Sequence, residues 1–161
     1  MRQMVACLLL MGSFSSESAA SQARGAATSG AARMSACSLL PTDLMVKVGG
    51  INTAAVKYIK PEEEPMGSDG SACEYASVRL QLNPFGKNHQ KREPAGRDWQ
   101  AVAGVGDAAF FRRNGSQYAE LIVWTGPHHF TIQFGVPTGG TPDSIRPNTI
   151  QLANAIVASL R

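Results

Sequence analysis

Two runs of alternating apolar and polar residues, Gln117 to Trp124 and His129 to Val136, constrain this chain more than any other feature. They follow Asp107 to Arg113 and an Asn114-Gly115 pair, the strongest short-range hairpin signal, because tight two-residue turns need positive φ and these residues accept it. Gly126-Pro127 marks the next turn. A period of two places Ala119, Leu121 and Val123 on one face and Tyr118, Glu120, Ile122 and Trp124 on the other. In the last run Phe130, Ile132, Phe134 and Val136 oppose His129, Thr131 and Gln133. A three-strand antiparallel meander follows, with one strongly apolar face to cover.

The flanking segments supply the cover. Ile150, Ala153, Ile156, Val157 and Leu160 recur at helical spacing, and Pro147 suits the first turn, so an amphipathic C-terminal helix docks on the sheet. Upstream, Thr42 to Gly50 predicts a short helix, with Thr42 as N-cap, Asp43 at the positive end of the dipole and Gly49 as the left-handed terminator. Ala54 to Ile59 predicts a strand ended by Pro61 and the acidic run Glu62-Glu63-Glu64, and Met66 to Ser71 is loop chemistry. Cys73 to Leu82 predicts a strand with Ala76, Val78, Leu80 and Leu82 on one side and Cys73, Tyr75, Ser77, Arg79 and Gln81 on the other. The longest polar interruption runs from Pro84 to Arg97. The expected fold is α+β: a mostly antiparallel sheet of about five strands, with a short N-terminal helix and a C-terminal amphipathic helix packed on it.

With 161 residues, 43% hydrophobic and 17% charged, the chain has room for one sizeable core and the composition to bury it. A formal charge of +3 is far from the dense basic footprint of a nucleic-acid binder, and no nucleic-acid partner is expected.

The N-terminus reads as an export signal. Arg2 supplies the positive region, Met4 to Met11 the apolar run, and Ser18-Ala19-Ala20 or Ser21-Gln22-Ala23 a cleavage site. That run is too short to span a bilayer, which takes about 20 apolar residues. The expected division is a signal at 1–23, a flexible Ala/Gly/Ser leader at 24–35 and one domain at 36–161, in a periplasmic or secreted protein that meets the membrane only through its transient signal. A buried N-terminal element is the alternative. Cys7 lies early in the apolar run rather than after it, which is the wrong place for a lipidation cysteine.

Cys37 and Cys73 remain outside the signal, an even number in an oxidising setting, and a disulfide between them is the natural inference. In the chain-entropy model such a loop is worth about 3.8 kcal/mol. Two buried thiols are the alternative, and the absence of Cys-x-x-Cys argues against redox or metal chemistry.

The opening Ala36-Cys37-Ser38-Leu39-Leu40-Pro41-Thr42, the pair Gly49-Gly50, Cys73-Glu74-Tyr75, the element Val105-Gly106-Asp107-Ala108-Ala109-Phe110, a hairpin and a closing helix resemble small exported bacterial proteins of unknown function. The chain is similar in particular to actinobacterial lipoprotein domains with a Cys-Ser-Leu-Leu opening and a Gly-Leu-Gly-Asp-Ala element. The resemblance covers 36–161 and implies a sheet with flanking helices, without catalytic residues to carry over. The chain departs from that class in lacking a well-placed lipidation cysteine.

No Gly-x-Ser-x-Gly, Ser-x-x-Lys or phosphate-cradling loop is present, and no catalytic role or cofactor is assigned. His128 and His129 are neighbours on a strand and should point to opposite faces, so a metal site would need one of them to meet His89 or a carboxylate such as Asp107 or Glu120. Convergence of His89, His128, Asp107 and Arg79 is the arrangement that would matter most. The candidate binding surface comprises the basic loop residues Lys87, Lys91, Arg92 and Arg97, with Tyr118 and Trp124 on the less apolar strand face, a face that Tyr75 is expected to share. The expected function is non-enzymatic binding of a protein or cell-envelope component through that face and its loops. The alternative is a small-ligand carrier with a pocket between the sheet and the C-terminal helix.

Overall fold

A computed structural model describes residues 34–96 and 98–161; the expected signal, the leader up to residue 33 and Arg97 lie outside the described residues. The chain is α+β, with an antiparallel sheet of seven strands: β1 (Glu62–Met66), β2 (Gly70–Tyr75), β3 (Val78–Leu82), β4 (Gln100–Ala101), β5 (Ala108–Asn114), β6 (Tyr118–Thr125) and β7 (His128–Gly135). Their spatial order is β1-β2-β3-β7-β6-β5-β4. Helices α1 (Thr42–Lys47), α2 (Thr53–Val56) and α3 (Arg146–Leu160) complete the fold, with a 3-10 turn at Cys37–Leu39.

This order decides what covers each face. Two meanders, β1-β2-β3 and β5-β6-β7, join through the β3–β7 pair at the middle of the sheet. The chain leaving β3 must therefore cross β7, β6 and β5 before it can add β4 at the far edge. That crossing is the long polar segment 83–99. After β7 the chain turns back as α3 over the opposite face, burying Thr149, Leu152, Ala153, Ile156 and Val157.

Beneath α3, cross-strand partners form an apolar row from Cys73 through Leu80, Ile132 and Leu121 to Phe111, all buried. Pairing at this period fixes register firmly, because a slip of one residue would turn the whole apolar set outward. The Cys37–Cys73 disulfide ties the N-terminal segment to this face, with Cα atoms 5.0 Å apart. Ser71 Oγ accepts from the Ala36 N–H at 2.8 Å and donates to the Met34 carbonyl at 3.0 Å, which fastens the start of the described chain to β2.

Several expectations need correction. Seven strands replace about five: Ala54 to Ile59 is lost, β1 and β4 are added, and Cys73 to Leu82 is a hairpin rather than one strand, turning at Ala76-Ser77 with Ala76 at φ +56°. The turn brings Cys73 and Tyr75 to the same face as Val78 and Leu80, so Tyr75 is buried under the helices and its hydroxyl lies 3.3 Å from Thr42 Oγ1. The acidic run is strand β1, an exposed edge that tolerates both Pro65 and three glutamates. Ala54 to Ile59 does not form a strand: Asn52 Oδ1 accepts from the Ala54 N–H at 2.8 Å and starts the helical turn α2. Pro41, not Thr42, is the N-cap of α1, and Gly50 rather than Gly49 takes positive φ beyond it.

Candidate functional site

The face opposite α3 is banded by the register. A polar row crosses six strands through Glu62, Glu74, Arg79, Gln133, Glu120 and Arg112. Next to it, Gln81, Thr131, Ile122 and Phe110 form a mixed row, and beyond that His129 pairs with Trp124 and Trp124 with Ala108.

The arginines of the polar row are paired. Arg79 bridges Glu64 at 3.2 Å and Glu74 at 3.3 Å, and Arg112 Nε donates to Glu120 Oε2 at 2.6 Å while its guanidinium lies 4.5 Å from the Trp99 ring centroid. Glu74, Arg79, Gln133 and Tyr118, the last 46% exposed, line an open trough of about 570 Å³.

The aromatic end is different in kind. Phe85, His89 and Pro94 from the crossing segment close over Ile122, Trp124 and His129, leaving a cleft of about 180 Å³. His129 and Phe85 are stacked with ring centroids 5.8 Å apart and planes 2° from parallel, and the Trp124 ring lies 20° from the His129 plane at 6.4 Å. His89 tilts against both Phe85 and His129, each at 5.1 Å. Phe85 is 75% exposed at the lip.

His129 is 2% exposed and Trp124 7%, yet Trp124 Nε1 and both ring nitrogens of His129 have no hydrogen-bond partner among the described residues. A buried polar group left unpaired costs about 1–3 kcal/mol, and most such groups in folded proteins are satisfied. Burial also disfavours the charged imidazole: the pKa of His129 is pushed down from 6.5 to about 4, with the neighbouring His89 pushing the same way. His129 is therefore neutral near pH 7, presenting one N–H donor and one acceptor nitrogen, and Trp124 adds a second donor.

The crossing segment is fastened rather than draped. Asn83, fully buried at φ +47°, donates its backbone N–H to the His129 carbonyl at 2.8 Å, and its Oδ1 accepts the His129 N–H at 3.2 Å. Its amide NH2 then faces His128 Nδ1 at 3.1 Å. Asp69 Oδ2 accepts the Lys87 N–H at 2.8 Å, a bond that holds the carboxyl below its ordinary pKa. The Asn88 N–H donates to the Pro127 carbonyl at 2.8 Å, and Lys91 Nζ to the Asp107 carbonyl at 2.9 Å. Asp107 in turn accepts the Gly126 N–H at 2.7 Å. Gly106 makes that clip possible, since a Cβ there would meet the Trp124 carbonyl oxygen at 2.4 Å.

The residues expected to form the site divide accordingly. Trp124 lines the cleft and Arg92 its rim, Tyr118 lies in the trough, Lys87 and Lys91 act as fasteners, and Arg97 lies outside the described residues. His89 meets His129, while His128 lies against Asn83, and burial and then Lys87 lower its pKa. Arg79 and Glu120 are held in ion pairs in the polar row, and Asp107 is committed to its turn. Among the described residues no group of three or more His, Cys, Asp or Glu is placed to hold a metal ion. Asn83 and Phe85 escaped the sequence reading; the Asn-Pro dipeptide at 83–84, a turn signal, was the available clue.

The interface between sheet and α3, where a ligand pocket was the alternative expectation, is filled by buried Leu121, Ile132, Leu152 and Ile156. A cleft of about 480 Å³ touches only the N-terminal end of that helix, at Ile145 and Asn148. No helix among the described residues is long and apolar enough to cross a membrane. The fold and cleft thus define an α+β domain with one sealed face and one carrying a small aromatic recess. Comparison of the chain with family models, curated proteins and solved structures gives no match.

Proposed function

We propose that this chain is an exported, non-enzymatic binding domain that engages a protein or cell-envelope component with the face opposite α3. The carrying observation is the recess beneath residues 84–96, whose lining residues Trp124 and His129 hold three buried nitrogens without a partner among the described residues. A partner group that enters the recess pairs those nitrogens and recovers their desolvation cost. The trough beside Tyr118 extends the same face and suits the polar remainder of a larger partner. Export is supported by the signal-like N-terminus and the Cys37–Cys73 disulfide, a bond characteristic of oxidising compartments. The small volume of the recess favours a second reading, a carrier of a small ligand, relocated from the helix side to this face.

Photo-crosslinking residues placed at Tyr118 and Phe85, with Asn154 on the outer side of α3 as control, test the proposal in the native host. Adducts at Tyr118 and Phe85 but not Asn154 are expected. A large adduct by intact mass identifies a macromolecular partner and a small one the carrier reading; adducts only at Asn154, or none, overturn both. Intact mass with and without reduction and alkylation tests export: cleavage near Ala20 or Ala23 with Cys37 and Cys73 protected is expected, whereas a full-length chain with free thiols refutes it.

A further inference from the structure

Resting on that binding face, we infer that the recess lined by Phe85, His89, Pro94, Ile122, Trp124 and His129 receives one neutral, planar heterocyclic ring that carries both a hydrogen-bond acceptor and a donor.

Size sets the first limit. A cavity of about 150 Å³ is enough for benzene, and drug-sized ligands need roughly 300 Å³ or more. At about 180 Å³ the recess fits a single substituted ring. The near-parallel planes of Phe85, His129 and Trp124 favour a planar guest through offset stacking or edge contacts.

Polar bookkeeping sets the second limit. Trp124 Nε1 can only donate, and neutral His129 donates from one nitrogen and accepts at the other. A guest with a carbonyl or ring nitrogen beside an N–H, the pattern of a cyclic amide, accepts from the Trp124 N–H and pairs with one ring nitrogen of His129, whereas a pure hydrocarbon leaves all three nitrogens unpaired.

Charge sets the third. Arg92 and Glu93 at the rim oppose one another, and the recess floor is Ile122, Thr131, Trp124 and His129, with no permanent charge. An ion would enter a poorly solvating site without a dedicated counter-charge, so a neutral guest is preferred.

The test uses protein purified from its native host and three probes of similar size: 2-pyridone, toluene and benzoate, followed by NMR shifts of the Trp124 indole N–H and by calorimetry. 2-Pyridone is expected to bind at least tenfold more tightly than either of the others. In Trp124→Phe, which keeps a ring and removes the donor, 2-pyridone should weaken about tenfold with toluene unchanged, as loss of one buried hydrogen bond implies. His129→Phe should act in the same direction. If toluene binds as tightly as 2-pyridone, if benzoate binds best, or if none shifts the Trp124 signal at millimolar concentration, the inference is wrong. The wild-type comparison stands even if a variant misfolds. Failure of all three probes alongside crosslinks at Tyr118 and Phe85 would remove the ring class and leave the binding face standing.

Discussion

Ile132 and His129 lie three residues apart on β7 and face opposite ways, and their surroundings show how differently the two sides of one sheet are built. Ile132 sits in an apolar row between Leu80 and Leu121 under α3, with no polar atom to satisfy. His129 is as deeply buried, yet it lies under an irregular segment fastened by Asn83, Asp69 and Lys91, and its two ring nitrogens are unpaired among the described residues. A helix covers a sheet with its own backbone bonds already made, so its side chains can seal the interface completely. A crossing segment must have its backbone polar groups fastened one by one, and where fasteners are sparse a recess remains. The helix side therefore carries stability, and the loop side carries the recess on which the proposed binding rests.

The largest expected effect breaks the comparison if it fails. Phe130→Ala, on the helix side and fully buried, should lower unfolding free energy by about 3–5 kcal/mol in denaturant titration. A loss under 1 kcal/mol would mean that the helix side is not the stabilising one.

Reduction of Cys37–Cys73 comes next, because that bond anchors the N-terminal segment to the same face. A loss of about 2–4 kcal/mol is expected between oxidised and reduced protein. This bond was legible in the sequence, since two cysteines remain outside the signal-like segment. The β5-β6-β7 meander was equally legible, because hairpin chemistry and strict alternation are local. What was not legible is non-local. Ala76-Ser77 carries no Gly or Asn to announce its turn, so two strands read as one and Tyr75 was placed on the wrong face. The acidic run became a strand because an edge exposes its side chains, something composition cannot report. The recess needed Phe85 and His89 to be laid on Trp124 and His129, and only the strand order, with β4 beyond β5, requires that crossing.

Acid sharpens the comparison on the loop side. Because the folded-state pKa of His129 lies at about 4, below its ordinary 6.5, the unfolded chain binds the proton first as pH falls. Stability should be unaffected above pH 6.5 and should decline between 6.5 and 4, by about 2–3 kcal/mol from this residue, then level off with respect to it. His128, also lowered, adds in the same direction. Unfolding curves across this range should show wild type losing about 2–3 kcal/mol relative to His129→Phe, whichever of the two is the more stable at pH 7. Parallel curves would mean that His129 is solvated and the recess is not a low-dielectric site.

The smallest effect is the most discriminating. Trp124→Phe on the helix side of such a sheet would be a costly loss of packing. On the loop side it deletes an N–H that has no partner among the described residues, while keeping an aromatic ring against Phe110, whose centroid is 6.1 Å from that of Trp124. The lost apolar contact and the relieved desolvation oppose each other, so stability should change by less than about 1 kcal/mol, in either direction. A loss of about 3 kcal/mol or more would show that the indole is an ordinary core residue with its N–H paired. The two sides of the sheet would then differ in covering element alone, and the recess would lose the group that gives it a reason to bind.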